Sequence, residues 1–361
     1  MNRHSIPRAV AAVILVLLAG AACAQEISPA EALREPLPVR DQFLLGNGFL
    51  SLEPTSARVL PDGAWLADIH FANANTFARS EFVSHDLANN GGGRAGINRL
   101  LQGGPNQPAS IFLVDGEVHR LTMSLRRGIG DRLEVGISIP ITSNGGGWMD
   151  KLIEDFHKGF GLGNAERQFL PRNSEIVYVR TPKSTYLRQG TNGYELGDVA
   201  LTAKYGLARF DARRLALAVE GVVTVPTGHA STLNGSGSVD AAINFIATKS
   251  FSRTSIHESL GIIRLGADKP LGTSSETVLT DTLGVTQLVK RATSLALQIT
   301  FSQTPFRQLG FPEWKRHSSM LSAGVQHRFG ASVVHLALIE NLFTFNNAAD
   351  FGMQCGIARR F

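Results

Sequence analysis

The chain has 361 residues, 43% of them hydrophobic, with 37 Gly and two Cys. That apolar share is too high for a disordered chain and too low for a bundle of membrane helices. Two cysteines exclude a disulfide framework and a Cys-built zinc site, and the formal net charge of +5 is partly a property of the first two dozen residues.

Residues 1–24 have the three parts of a secretory signal peptide: a basic start with Arg3 and Arg8, an apolar run from Ala9 to Ala19, and the small residues Ala22-Cys23-Ala24. The apolar run is shorter than the roughly 20 residues a spanning helix needs. Cys23 offers a rival reading as a lipidation site, against which Gly20 stands where a large aliphatic residue is usual. Cleavage after Ala24 deletes two Arg and no acid, so the remaining chain carries +3 and a single cysteine, Cys355. A charge so near balance gives no reason to expect nucleic acid as a partner.

Beyond residue 24 no stretch is long and apolar enough for a membrane helix. What recurs is two-residue alternation, the pattern of a strand with two unlike faces. Val199, Leu201, Ala203, Tyr205 and Leu207 alternate with Asp198, Ala200, Thr202, Lys204 and Gly206. Leu295, Leu297, Ile299 and Phe301 alternate with Ala296, Gln298, Thr300 and Ser302, and Phe351, Met353, Cys355 and Ile357 with small or polar neighbours. This spacing predicts twelve strands, near 64–74, 117–127, 132–142, 195–207, 213–226, 238–250, 255–266, 277–289, 292–303, 317–329, 332–344 and 350–361. At about 11–14 residues they are too long for a soluble sandwich and suit a closed antiparallel transmembrane β-barrel in residues 25–361. Short connections alternate with long ones, so both termini fall on the short-turn side, which in an outer-membrane barrel is the periplasm. Arg and Lys flank those turns, with Phe210, Phe251 and Phe329 at the same level. Interfacial anchoring and ordinary turn polarity explain them equally well.

The long loops near 75–116 and 143–194 hold the unusual content. Trp148, Leu152, Ile153, Phe156 and Phe160 recur at helical spacing, predicting a short amphipathic helix. A lid or plug packed on the barrel mouth accounts for the apolar stripe, and so does a helix lying on the outer leaflet. SEIVYVR at 174–180 reads as an extra strand above the membrane, and NNGGG at 89–93 as loop. Glu154, Asp155 and His157 match no established metal-ligand spacing, so no metal and no cofactor are expected.

Several segments resemble an uncharacterised family of Gram-negative outer-membrane barrel proteins, known only as a domain of unknown function. They are RDQFLLGNGFL, DGEVHRL, RRGIGDRLEVGISIPI, GGGWMDKLIEDFHKGFGL and ENLFTFNNAADFG. YELGDVALTAKYGL followed by VVTVPTG is more loosely similar to outer-membrane proteins proposed to take up phenol-like compounds. The resemblance implies a fold and a location and no activity. The terminal Phe361 likewise resembles the signal by which outer-membrane proteins reach the barrel-assembly machinery.

Three functions fit. A twelve-strand lumen passes a small solute if its loops leave it open, and alternation points Asp198, Lys204, Glu220, Asp240, Asn244, Gln298, Gln326 and Arg328 inward. The same charges also serve a closed interior by pairing with one another. An outer-membrane lipid hydrolase is the second reading: Ser143-Asn144-Gly145 is present, but Ile141 stands where a neighbouring His would be. The third is a structural barrel whose loops bind a surface partner. The expected partners are membrane lipids, the assembly machinery and a small solute.

Overall fold

The computed structural model describes residues 29–361, apart from 105, 162, 165, 211–214, 269 and 344. The expected signal peptide therefore lies outside the described residues. The strands are β1 (Trp65–Arg79), β2 (Ile111–Ile129), β3 (Leu133–Gly145), β4 (Ile176–Arg180), β5 (Thr185–Gln189), β6 (Glu195–Leu196), β7 (Val199–Phe210), β8 (Leu215–Val225), β9 (Asp240–Ser250), β10 (Thr254–Leu265), β11 (Glu276–Lys290), β12 (Thr293–Ser302), β13 (Ser318–Phe329), β14 (Ser332–Asn341) and β15 (Phe351–Arg360). Each of β7 to β15 pairs antiparallel with the next, β3 pairs β7, and β1, β2 and β3 pair in succession. β15 then pairs with β1, from Leu66↔Arg360 to Asn75↔Phe351, and closes the barrel. Leaving aside β4, β5 and β6, twelve strands form the wall, the number the alternation predicts. β4 and β5 form a hairpin that extends the wall beyond β2, where SEIVYVR was expected to add a strand.

Closure pairs both edges of each of the twelve wall strands, and the side chains follow the pleat. Leu201, Ile243, Phe245, Leu260, Leu283, Leu295, Leu297 and Leu336 are exposed on the outer face, and their strand neighbours Lys204, Asn244, His257, Thr286, Gln298 and His335 are buried inside. Strands of mixed polarity are resolved by pairing: His257 faces inward, while Arg264 and Glu340 face outward near the loop end. Glu258 and Asp281, which share the outward register of Leu260 and Leu283, break the apolar band.

The two large loops are more ordered than a loop reading suggests. Helices α1 (Glu81–Asn90) and α2 (Gly93–Gln102) occupy the first, so NNGGG is the joint between two helices. Val83, Leu87, Ile97 and Leu100 pack with Phe77, Leu113 and Tyr178 against the outside of the extended wall. Helix α3 (Asp150–Phe160) lies in the second loop.

Candidate functional site

The lumen is filled by the segment that precedes β1. After one helical turn at Pro29–Ala32 the chain enters beside the short turns, where the Arg34 guanidinium donates to the carbonyls of Phe251 and Ser252. It climbs to a 3-10 turn at Leu44–Gly46, where the Leu44 N–H donates to Thr76 Oγ1 near the loop end of β1. It then descends, and the Gly63 N–H donates to Gly128 O at the short-turn end just before β1 begins. Residues 34–63 thus form a re-entrant plug. Proline at 36, 38, 54 and 61 keeps the segment out of helix or sheet. Its backbone groups therefore need other partners.

The wall supplies them, with the residues that alternation points inward. Gln298 accepts from the Leu37 N–H (2.6 Å) and donates to the Leu37 carbonyl (3.2 Å). Gln326 donates to the Glu35 carbonyl at 2.8 Å, and Gln354 to that of Pro38 at 2.7 Å. Asp240 accepts from the Leu50 N–H, Thr248 from that of Ala57 and Glu134 from that of Leu60, each within 3.0 Å. Lys204 donates to the Ser56 carbonyl and pairs with Glu134 at 3.1 Å. Asn244 donates to Glu220, and Asp198 accepts from the backbone N–H groups of Gly228 and Ser236 in a long loop. Arg328 shares the inward register but is only partly buried, at the short-turn end. All eight expected inward positions thus lie on the inner side, and most serve the plug or a loop and do not front open water. Reading the sequence alone misses the plug, whose signal is apolar weight ahead of the first strand: Leu37, Val39, Phe43, Leu44, Leu45, Phe49 and Leu50 are all buried.

At the loop end the plug meets an aromatic cluster. Phe43 and Phe49 stand edge-on to Phe306 at 6.1 and 5.8 Å, and Phe306, Phe311 and Phe112 surround Trp314. The Trp314 N–H donates to the Asn346 carbonyl. Gly48 lies so close to Gly235 that a Cβ would sit 2.6 Å from its carbonyl carbon. Space remains lower down. A cavity of about 560 Å³ at the short-turn end is lined by Glu35, Arg58, Arg132, Glu134, Lys204 and Arg360. A smaller one of about 120 Å³ lies between plug and wall beside Arg40 and Arg120.

Helix α3 is not the lid that its apolar stripe suggests. Its start is held by Glu117, whose carboxylate accepts from the N–H groups of Trp148 and Met149. Asp150 bonds Asn75 and pairs with Arg167 at 3.0 Å. Glu117 and Asn75 are a cross-strand pair in phase with the exposed Phe71, so they lie on the outer wall. The helix therefore sits against the outside of the barrel. It buries Met149, Asp150, Ile153 and Glu154 and leaves Trp148, Leu152 and Phe156 exposed at 52%, 44% and 53%. The Phe160 side chain lies outside the described set. A carboxylate pinning the first turn outranks the stripe in orienting the helix, and the preceding glycines permit it. At Gly147, with φ of +59°, a Cβ would overlap the Glu117 carboxylate.

The other motifs have ordinary partners. Glu154 pairs with Arg172, Asp155 with Lys151, and His157 Nδ1 lies 3.2 Å from Asn164 Oδ1. Among the described residues no group of three His, Cys, Asp or Glu is placed to hold a metal. Register brings His119 directly opposite Ser143, a neighbour the sequence does not reveal. The Ser143 hydroxyl, however, donates to the Asn192 carbonyl at 2.8 Å, and the residue is buried under that loop. Of the basic residues near the short turns, Arg126 and Arg360 turn inward to Glu134 and Glu35, whereas Arg127 lies 5.1 Å above the Trp65 ring. Arg213 and Arg214 lie outside the described residues.

The model of one protein family, described as a protein of unknown function (DUF3187), matches residues 6–361. The chain belongs to the DUF3187 family. No curated protein matches it. Among solved structures, the NanC porin is similar over 81% of this chain and 98% of its own, at 8% identity and a TM-score of 0.43. The KdgM porin, solved in complex with disordered oligogalacturonate, is similar over 82% and 99%, at 6% identity and 0.39. The toluene transporter TodX of Pseudomonas putida is similar over 83% and 89%, at 9% identity and 0.37. Likeness at this level bears on neither solute nor mechanism for a DUF3187 chain, whose barrel is established by its own strand pairings.

Proposed function

We propose that this DUF3187 barrel sits in the bacterial outer membrane with its short turns and both termini in the periplasm, and passes a small solute when its plug shifts. The observation that carries this reading is the way the plug is held. Residues 34–63 pair with the wall through scattered side-chain hydrogen bonds from Gln298, Gln326, Gln354, Asp240 and Thr248, not through a strand ladder. Each such bond contributes about 1 kcal/mol, so the segment can leave part of its path while the closed wall stands. The cavity at the periplasmic end gives it room to move. The exposed stripe of α3 continues the apolar wall and rests in the outer leaflet, and Phe361, whose backbone exchanges two hydrogen bonds with Trp65, presents the terminal signal to the assembly machinery.

The test is planar-bilayer conductance of the full chain and of a chain lacking residues 34–60. The reading expects rare small openings in the first and a steady current in the second. Equal conductance, or none from either despite correct insertion, overturns it. The hydrolase alternative is tested by lipase activity of the full chain and of Ser143→Ala, and the bond from Ser143 to Asn192 counts against it.

A further inference from the structure

We propose a binding site for a small oxyanion, a carboxylate or a phosphate, between Arg40 of the plug and Arg120 of β2. Both residues are more than nine-tenths buried, at 7% and 8% exposure, and both line the cavity of about 120 Å³. They converge on one residue: Arg40 Nη2 donates to the Asn47 carbonyl and Arg120 Nη1 to Asn47 Oδ1, each at 3.3 Å. Neither has a carboxylate within 4 Å among the described residues. Arg40 gives its remaining hydrogen bonds to the carbonyls of Asp41 and Phe49. Arg120 Nε is buried with no hydrogen-bond partner.

Two like charges in a water-poor cavity, one with an unused donor, make an incomplete arrangement, because buried charges are otherwise paired. Among the carboxylates that face the same cavity, Glu53 attracts both guanidiniums through space without touching either, and each carboxylate has its direct partners elsewhere. Glu53 pairs with His70 at 3.7 Å, Asp198 holds the N–H groups of Gly228 and Ser236, and Glu220 accepts from Asn244. A guanidinium fork suits a planar or tetrahedral oxyanion better than a sphere, and a space several times that of one water takes such a head group. With Arg40 on the plug and Arg120 on the wall, the bound anion ties one to the other. The site does not depend on passage through the barrel, and its test reads binding alone.

The experiment is titration calorimetry on the full chain in a delipidated nonionic detergent, with inorganic phosphate, acetate and chloride at matched ionic strength. The expected result is saturable binding of phosphate, acetate or both, tighter than chloride. Arg40→Gln and Arg120→Gln each weaken it about tenfold or more, the Lys variants weaken it less, and the exposed Lys183→Gln leaves it unchanged. Phosphate binding alone assigns a phosphate site, and acetate binding assigns a carboxylate. Should the Gln variants fail to fold, the wild-type thermal transition decides, since a bound anion raises it above its value in chloride. No saturable binding, binding unaffected by both arginines, or a transition that depends on ionic strength alone overturns the proposal.

Discussion

The Gln298 carboxamide clasps the Leu37 peptide from both sides, accepting from its N–H and donating to its carbonyl. One wall side chain on β12 thereby satisfies both polar groups of a buried residue in a segment that has no sheet partner. Truncation to Gln298→Ala leaves the Leu37 N–H unpaired, while the carbonyl keeps the Val39 N–H at 2.9 Å. The expected cost is about 1–3 kcal/mol, falling on the plug and not on the wall. Conductance of the variant in a planar bilayer should show more frequent openings at an unchanged heat-modified gel shift. Unchanged openings would mean that the clasp does not hold the plug.

Lys204 is a second anchor. It joins the Glu134 carboxylate to the plug through the Ser56 carbonyl. Lys204→Met strands Glu134 with Arg126 as its remaining ion-pair partner, at 3.6 Å, and removes the opposite charge cross-strand from Glu220. A loss of about 3–5 kcal/mol is expected in thermal or denaturant unfolding, partly recovered in Lys204→Met/Glu220→Gln. Full stability in the single variant would refute the pairing.

The wall was legible because each strand has two unlike faces, one apolar and outward, one polar or small and inward. Leu295 and Leu297 against Ala296 and Gln298 is a period no helix produces. The plug was not legible, because a polar inward residue such as Gln326 is required whether it meets water, a charge or a peptide carbonyl. The segment 34–63 has no period of its own, being proline-rich and bonded outside itself. For α3 the stripe predicted the helix but not the side it faces. That side is chosen by Glu117, some thirty residues earlier, through a register that alternation does not encode.

Two loop carboxyls make the loop end sensitive to pH. Burial pushes Asp268 up to about 6. Burial likewise raises Glu175 to about 7, against the opposing pull of Arg188. An acid whose folded value lies above its unfolded value favours the folded state when protonated. Stability is therefore fully present below pH ~4 and is lost as pH rises through ~4 to 7. Hydrogen exchange in residues 266–275 and 174–180 should speed about tenfold or more across that window beyond the intrinsic pH effect. Asp268→Asn, which keeps the acceptor for the Leu271 N–H, should flatten the first segment. Slower exchange at higher pH, after the same correction, would contradict the assignment.

Trp148, Leu152 and Phe156 face away from the barrel. Replacing Trp148 and Phe156 by Ser should lower unfolding stability in lipid by about 1 kcal/mol or more, because the rings lose their transfer into the leaflet. In vesicles with bromine-labelled acyl chains, the emission lost on Trp148→Phe should be the strongly quenched part. An unquenched Trp148 would place α3 in water.

The central claim is that residues 34–63 run inside the barrel. Leu37→Cys and Gln298→Cys, introduced together in a Cys355→Ser chain, bring two thiols to the site of the clasp. A short bis-maleimide added to the inserted protein should link them within one chain, giving a closed loop of altered gel mobility even after heating. The account predicts efficient linkage for this pair and none between Leu37→Cys and the outward Leu297→Cys. Failure of the first pair to link, with both thiols shown to be reactive, or linkage of the second pair would contradict it.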